Sequence, residues 1–328
     1  MAEGLLSYLA RRLLWALFLL FAASVLVFVI FWLVPANPAA IRPASPFSSP
    51  DAQAAVRSYL HLDEPIWKQY GAFVWRILRH GSLGESYWSR GSVDSIIAND
   101  APVTGSLIMG SAVLWLSLAL PLGVLAAMRP RSLLDRTSTL VVLLGQSAHP
   151  VWLGLMLSYL VGYRLGLTPI QGYCSFFGGS GPGQCGGALP WASHLILPWL
   201  TFMALFLALY VRLIRATVSS NLAEDYVRTA RSKGAPERRV IIRHVLRNSL
   251  GPVVTILGMD LGLALGGALF VENVFGLPGL GYEIVHAYQL DDYPVIVGIV
   301  LFAAVIIVLL NLVVDILYGV LDPRVRLA

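Results

Sequence analysis

"EDYVRTARSKGAPERRVIIRHVLRNSL" runs from Glu224 to Leu250 and carries seven Arg or Lys residues against three acids. On each side of it lies an apolar stretch long enough to cross a bilayer. Charge this dense between two such stretches either fixes the orientation of the chain or meets a partner. What surrounds the segment decides the fold class, and the pattern inside it bears on function.

The chain has 328 residues, 57% hydrophobic and only 12% charged. A soluble domain carries about 25% charged residues, so lipid is the solvent for most of this surface. Six apolar segments reach spanning length, near Leu13–Val34, Val103–Met128, Thr137–Tyr163, Leu195–Leu213, Ser249–Val271 and Val295–Tyr318. The first has an apolar core too long for a signal peptide, and Pro35-Ala36-Asn37-Pro38 is a poor small-residue cleavage site, so it reads as a retained helix. The expectation is an all-α membrane protein with six transmembrane helices. Residues 1–34 form the N-terminus and first span, residues 35–102 an extracytoplasmic segment, and residues 103–328 a five-helix core that includes the polar loop 218–248.

Arg and Lys placement gives the orientation. With both termini in the cytoplasm, the inward segments 1–12, 129–136, 218–248 and 319–328 hold 14 basic residues. The outward segments, though longer in total, hold seven: Arg42, Arg57, Lys68, Arg76, Arg79, Arg90 and Arg164. That asymmetry follows the positive-inside rule. Glu224–Leu250 is therefore expected in the cytoplasm. An anchor needs only a few charges, and a long segment with helical patterning points to a further role.

Outside, "EPIWKQYGAFVWRILRHG" (Glu64–Gly81) reads as a helix with Pro65 near its start and Gly81 after its end. Its rings, interleaved with Lys68, Arg76 and Arg79, suit a helix lying at the membrane interface. Cys174 and Cys185, the two cysteines of the chain, flank a Gly-rich outward loop. A disulfide there would stabilise the loop by about 3 kcal/mol on the chain-entropy estimate. Two free thiols or a metal pair are the alternatives, and no His or acid lies between the cysteines to complete a metal site.

The two lysines, Lys68 and Lys233, lie outside any G-x-x-x-x-G-K-[ST] pattern, so the chain has no P-loop to cradle phosphates. No metal-spaced cluster and no G-x-S-x-G elbow occurs. A chain without catalytic residues, metal or cofactor of its own is the expectation, with nucleotide bound elsewhere if ATP drives it. Polar residues inside spans are costly and mark candidate paths. Gln146 and His149 precede Pro150, which should kink the third helix, and Asp260 sits in the fifth. These three are candidates for a substrate path. Interhelix hydrogen bonding, worth about 1 kcal/mol each, explains the same residue types. So does a proton relay, which makes a proton-coupled carrier using His149 and Asp260 the competing reading. In the sixth span Asn311 admits both readings, and Asp315, close to the cytoplasmic end and to Arg324, fits interhelix bonding better.

Gly234 divides the polar segment. "EDYVRTARSK" before it is a short helix with acids at its start and Lys233 at its end, as the helix dipole favours. After it, Pro236 and Glu237 suit a first helical turn. Arg239, Arg243 and Arg247 recur at intervals of four, beside an apolar face of Ile241, Ile242 and Val245. The segment reads as helix, glycine turn, helix, held at the membrane surface. Nucleic acid is excluded as a partner by the short loop, the missing aromatic platform and the flanking spans.

The segment resembles the conserved cytoplasmic loop, the EAA loop, of ATP-binding-cassette import permeases. The form is closest to the first-permease type of the dipeptide/oligopeptide/nickel family. Asp225–Gly234 matches the family's DYVRTARAKG, and Arg243–Asn248 its RHxLRN. Leu62–Tyr70, Gly81–Ser86, Pro102–Thr104, Val271–Gly281 and Asn311–Arg326 match further family segments in order, so the resemblance covers nearly the whole chain. Ser82 stands where the family often has Asp, and His149 where it usually has Ile.

The resemblance implies a type I importer permease fold in a bacterial cytoplasmic membrane. It implies pairing with a second, homologous permease, two cytoplasmic ATPase subunits that hold ATP and Mg, and an extracytoplasmic binding protein. It assigns ATPase coupling to Glu224, Asp225, Tyr226, Arg228, Ala230, Lys233, Gly234, Arg239 and Arg243. Transport of peptides or similar small solutes by alternating access follows from it.

Overall fold

The computed structural model describes residues 2–33, 64–130, 132, 149–177 and 185–321. The described residues are helical apart from loops and one isolated antiparallel bridge between Glu85 and Ser92. Five helices among them are long and apolar enough to cross a membrane. The chain divides into two compact units, Met1–Thr104 with Pro278–Leu312, and Gly105–Leu277 with Val313–Ala328.

In the first unit, α1 (Ala2–Phe28) continues through a wider π-helical turn, Val29–Leu33. Gly81 terminates α2 (Ile66–His80): at φ +60° it takes the left-handed conformation and donates its N–H to the Ile77 carbonyl, a geometry glycine adopts at no steric cost. The helix is two-faced. Phe73 is buried with Val27, Phe28 and Val297, while Trp67, Trp75 and Leu78 stay exposed. The Tyr70 hydroxyl pairs with the Ser24 hydroxyl at 2.8 Å, and the Arg79 guanidinium lies 5.4 Å from the Trp75 ring centre.

Between α2 and α3 (Val93–Met128) the chain turns around one buried carboxylate. Asp292 accepts from the Ser86 hydroxyl and from the Tyr87 N–H at 3.0 Å. Burying a charge is costly unless hydrogen bonds satisfy it, and here they do. The unit's core joins Val93 and Ile97 to Leu280 and Ala287 of α8 (Leu280–Gln289) and to Val295, Ile296 and Ile299 of α9 (Tyr293–Leu321).

In the second unit small residues let helices approach closely, the main source of packing energy between spans. Gly123 of α3 lies against Ile214 of α5 (Ala188–Leu222), and Gly110 against Trp199. Trp115 stacks on Phe206 at 4.6 Å, and the Trp199 indole N–H donates to the Ser106 carbonyl at 3.0 Å.

The third expected span is described only from His149 onward; Gln146 lies outside the described residues. Pro150 does not kink a continuous helix there. It occupies the first position of α4 (Pro150–Leu157), where its missing N–H costs nothing, and His149 is the extended residue before it. A π-helical stretch, Ser158–Arg164, continues α4.

The fifth span differs most from expectation. After α6 (Asp225–Ser232), the helix beginning at Glu237 is not a separate surface helix. It runs unbroken to Phe275 as α7, and residues Val240–Leu246 within it form a π-helical stretch. The burial pattern carries the reason. Val240 and Val245 are both fully buried, five residues apart, which is the repeat of i→i+5 bonding; regular α spacing would turn one of them outward. Ile242, expected on the apolar face, is 55% exposed.

Candidate functional site

The Gly234 turn is a Schellman motif, which closes a helix with a left-handed residue. Gly234 has φ +76° and donates to the Arg231 carbonyl at 2.9 Å, while Ala235 donates to the Ala230 carbonyl at 3.2 Å. These two bonds satisfy carbonyls that the end of α6 would otherwise leave unpaired. Ala230 is thus part of the turn, and its small side chain is half-buried.

Two contacts hold α6 in place. Val227 is fully buried. The Tyr226 hydroxyl donates to Asn221 Oδ1 at 2.9 Å, and Asn221 Nδ2 donates to the Thr217 carbonyl at 2.8 Å and to Ser249 Oγ at 3.2 Å. Across the turn, Arg231 and Glu237 form a two-pronged pair at 2.6 and 3.1 Å. That hydrogen-bonded partner raises the Arg231 pKa further above its usual range.

The remaining residues of the polar segment point to solvent. Glu224 sits at the start of α6 in an extended conformation and makes no side-chain cap. Asp225 and Arg228 form an exposed pair at 3.7 Å. Lys233, Arg239, Arg243 and Arg247 are exposed, whereas Val240, Ile241, Val245 and Ser249 are buried. The result is a basic protrusion between α5 and α7 in the chain, with one anchored face and one open face.

The expected path residues are placed apart from this protrusion, each in a local contact. The Tyr210 hydroxyl of α5 donates to Asp260 Oδ2 of α7 at 2.8 Å, an interhelix bond. His149 Nδ1 accepts from the Val151 N–H at 3.3 Å, capping α4, and its ring meets Phe270 edge-on at 5.5 Å.

Cys174 and Cys185 are joined as a disulfide, with Cα atoms 5.3 Å apart. The chain brings His194 close, so that both sulfurs and a ring nitrogen of His194 lie within 4.8 Å of one another. His194 Nδ1 is also 2.8 Å from the Pro190 carbonyl. The sulfurs are committed to each other, which leaves no thiolate for a metal.

Asn221 and Ser249 escaped the reading of the sequence. Their signal was faint: a polar residue at the end of one span and a small hydroxyl at the start of the next.

Residues 119–327 match the family described as "Binding-protein-dependent transport system inner membrane component", and residues 5–108 match the family of its N-terminal part. The dipeptide transport system permease protein DppB of Escherichia coli (strain K12) is 36% identical over 337 residues, covering 98% of this chain and 99% of the relative. The di/tripeptide transport system permease protein DppB of Pseudomonas aeruginosa (strain UCBPP-PA14) is 35% identical over the same shares. The glutathione transport system permease protein GsiC of Escherichia coli O6:H1 is also 35% identical over those shares.

Proposed function

From a chain that belongs to the binding-protein-dependent transport system inner membrane component family, we infer that the basic protrusion around Gly234 is the site where ATPase motion enters the spans. The chain is a multi-pass membrane permease subunit of an ATP-driven importer of the type I fold, and it works with ATPase subunits and a binding protein. Family membership decides against the proton-coupled carrier. The Tyr210 bond to Asp260 and the capping contact of His149 support the interhelix and capping reading of those two side chains.

The cargo class we propose is short peptides, because relatives similar along nearly their whole length are named for dipeptides, di/tripeptides and glutathione. A second, homologous permease completes the pathway, and ATP and Mg bind the partner ATPases. Both termini, with the protrusion, face the cytoplasm. Glu224, Asp225, Tyr226, Arg228, Ala230, Lys233, Gly234, Arg239 and Arg243 are the coupling set. Tyr226 and Ala230 shape the protrusion, and the exposed charged residues meet the ATPase.

One observation carries this reading. An exposed basic surface is built on a helix–turn–helix whose second arm is continuous with a spanning helix, so a push on the surface is passed to the span. The test is reconstitution of the chain with its operon-encoded ATPases, second permease and binding protein in proteoliposomes. Peptide uptake that requires ATP, together with ATP hydrolysis stimulated by loaded binding protein, is the expected result. Uptake driven by a proton gradient without ATPases would overturn it.

A further inference from the structure

Asn221 touches three separate parts of the second unit's polar end. Through Oδ1 it holds Tyr226 of α6 at 2.9 Å. Through Nδ2 it holds its own helix at the Thr217 carbonyl, 2.8 Å away, and reaches Ser249 of α7 at 3.2 Å. Ser249 is buried and donates in turn to the Val245 carbonyl at 2.9 Å, inside the stretch that joins the π-helical and α-helical parts of α7. The chain of bonds therefore runs Tyr226, Asn221, Ser249, Val245.

We propose that Asn221 is a positioning residue for coupling, a polar clasp that makes α6 and the starts of two spans move as one body. The inference rests on the reading of the protrusion as the ATPase contact. Its physical basis is the geometry of the load. A force applied to the exposed face of α6 has one covalent route to α5, through Ala223 and Glu224, and one to α7, through the Gly234 turn. Both are hinges. The clasp adds a polar, non-covalent route that bypasses both of them, beside the packing of Val227 and the Arg231–Glu237 pair. An amide serves where a hydroxyl or a carboxylate would not, because the position needs one acceptor and two donors at once. The surroundings are half-buried, so a lost partner leaves polar groups unsatisfied rather than hydrated.

The experiment measures two quantities on purified complexes of equal subunit composition in proteoliposomes: peptides imported, and ATP hydrolysed per peptide. Asn221→Ala and Tyr226→Phe are compared with wild type and with the double variant. Both single variants are expected to co-purify ATPase normally and to raise ATP used per peptide by about fivefold or more, the lower end of typical coupling effects. The double variant is expected to be no worse than Asn221→Ala, since both changes break one chain of contacts. A merely structural role would lower thermal stability and complex yield and leave the ratio unchanged. A wild-type ratio in assembled Asn221→Ala overturns the proposal. If Asn221→Ala fails to assemble, Tyr226→Phe, which loses a single hydroxyl, decides alone by the same ratio. Arg239→Glu with Arg243→Glu serves as the reference: unchanged ATPase co-purification in that variant would sink the docking reading itself, separately from the clasp.

Discussion

Arg231 and Glu237 grip each other across the Gly234 turn, Nη2 to Oε1 at 2.6 Å and Nε to Oε2 at 3.1 Å. The pair closes the loop between the last turn of α6 and the first turn of α7. It fixes the angle at which the basic surface stands, although both side chains are close to half exposed. Exposed pairs contribute about 0–1 kcal/mol, so the effect of this one is on geometry more than on stability. Glu237→Arg is expected to leave the amount of folded protein unchanged and to speed amide exchange in Lys233–Ala235. Adding Arg231→Glu restores the pair with its charges exchanged and should recover most of the protection. Equal exchange rates in wild type and Glu237→Arg would show the pair to be idle.

Gly234 has nothing within 4 Å of where a Cβ would stand, so a side chain there meets no steric obstacle. The cost of Gly234→Val comes from its φ of +76° alone, about 1–2 kcal/mol for a residue forced into the left-handed region. Because no spanning residue changes, membrane insertion should be normal while peptide uptake falls severely. Gly234→Asn, which tolerates the left-handed conformation better, should retain more uptake than Val. The order is checked by uptake at matched permease levels in the membrane.

Arg239 and Arg243 stand exposed on the same flank of α7. Reversing both to Glu should weaken ATPase association, and the loss should be larger at low ionic strength, where screening is weakest. Co-purification across a salt series measures this directly. A salt-independent association identical to wild type would mean the basic stretch serves orientation only.

The bond between Cys174 and Cys185 should be found in the mature protein as one linked peptide pair by mass spectrometry without reduction. Cys174→Ser with Cys185→Ser is expected to loosen the loop before α5, by about 3 kcal/mol on the chain-entropy estimate, with higher proteolytic sensitivity between residues 174 and 185. Free alkylatable thiols at both positions in intact membranes would contradict the pairing.

The chain purified alone should hydrolyse no ATP, since it lacks a phosphate-cradling loop. Turnover in a preparation that mass spectrometry shows free of ATPase subunits would overturn that expectation.

The parts of the fold that depend on composition were legible in the sequence. Spanning helices announce themselves by length and apolarity, and α2 by its alternating rings, bases and terminal Gly81. The glycine turn was legible because φ above zero selects its residue. The continuity of α7 was not, because a π-helical stretch is a hydrogen-bond pattern rather than a composition. It shows only as the five-residue step from Val240 to Val245, which reads as noise until burial is known. The cross-helix partners of Asp260 and Asn221 were hidden for another reason. These partners, Tyr210 and Ser249, lie 50 and 28 residues away in the chain, and no local pattern links them.

The wide turn at Val240–Leu246 also sets a rule for how this protein can change in length. Each residue of an ordinary helix advances the surface by about 100° around the axis. Residue number between Gly234 and the bilayer therefore acts as an angular dial. Removing one residue from Val240–Leu246 would let ordinary i→i+4 bonding replace the wide turn and leave Arg239 facing much as it does now relative to Ser249, whereas removing one from the ordinary helix after it would swing Arg239 by about 100° relative to the rest of α7. A one-residue deletion inside Val240–Leu246 should therefore cost less peptide uptake than one between Arg247 and Gly251, compared at matched permease levels in the membrane.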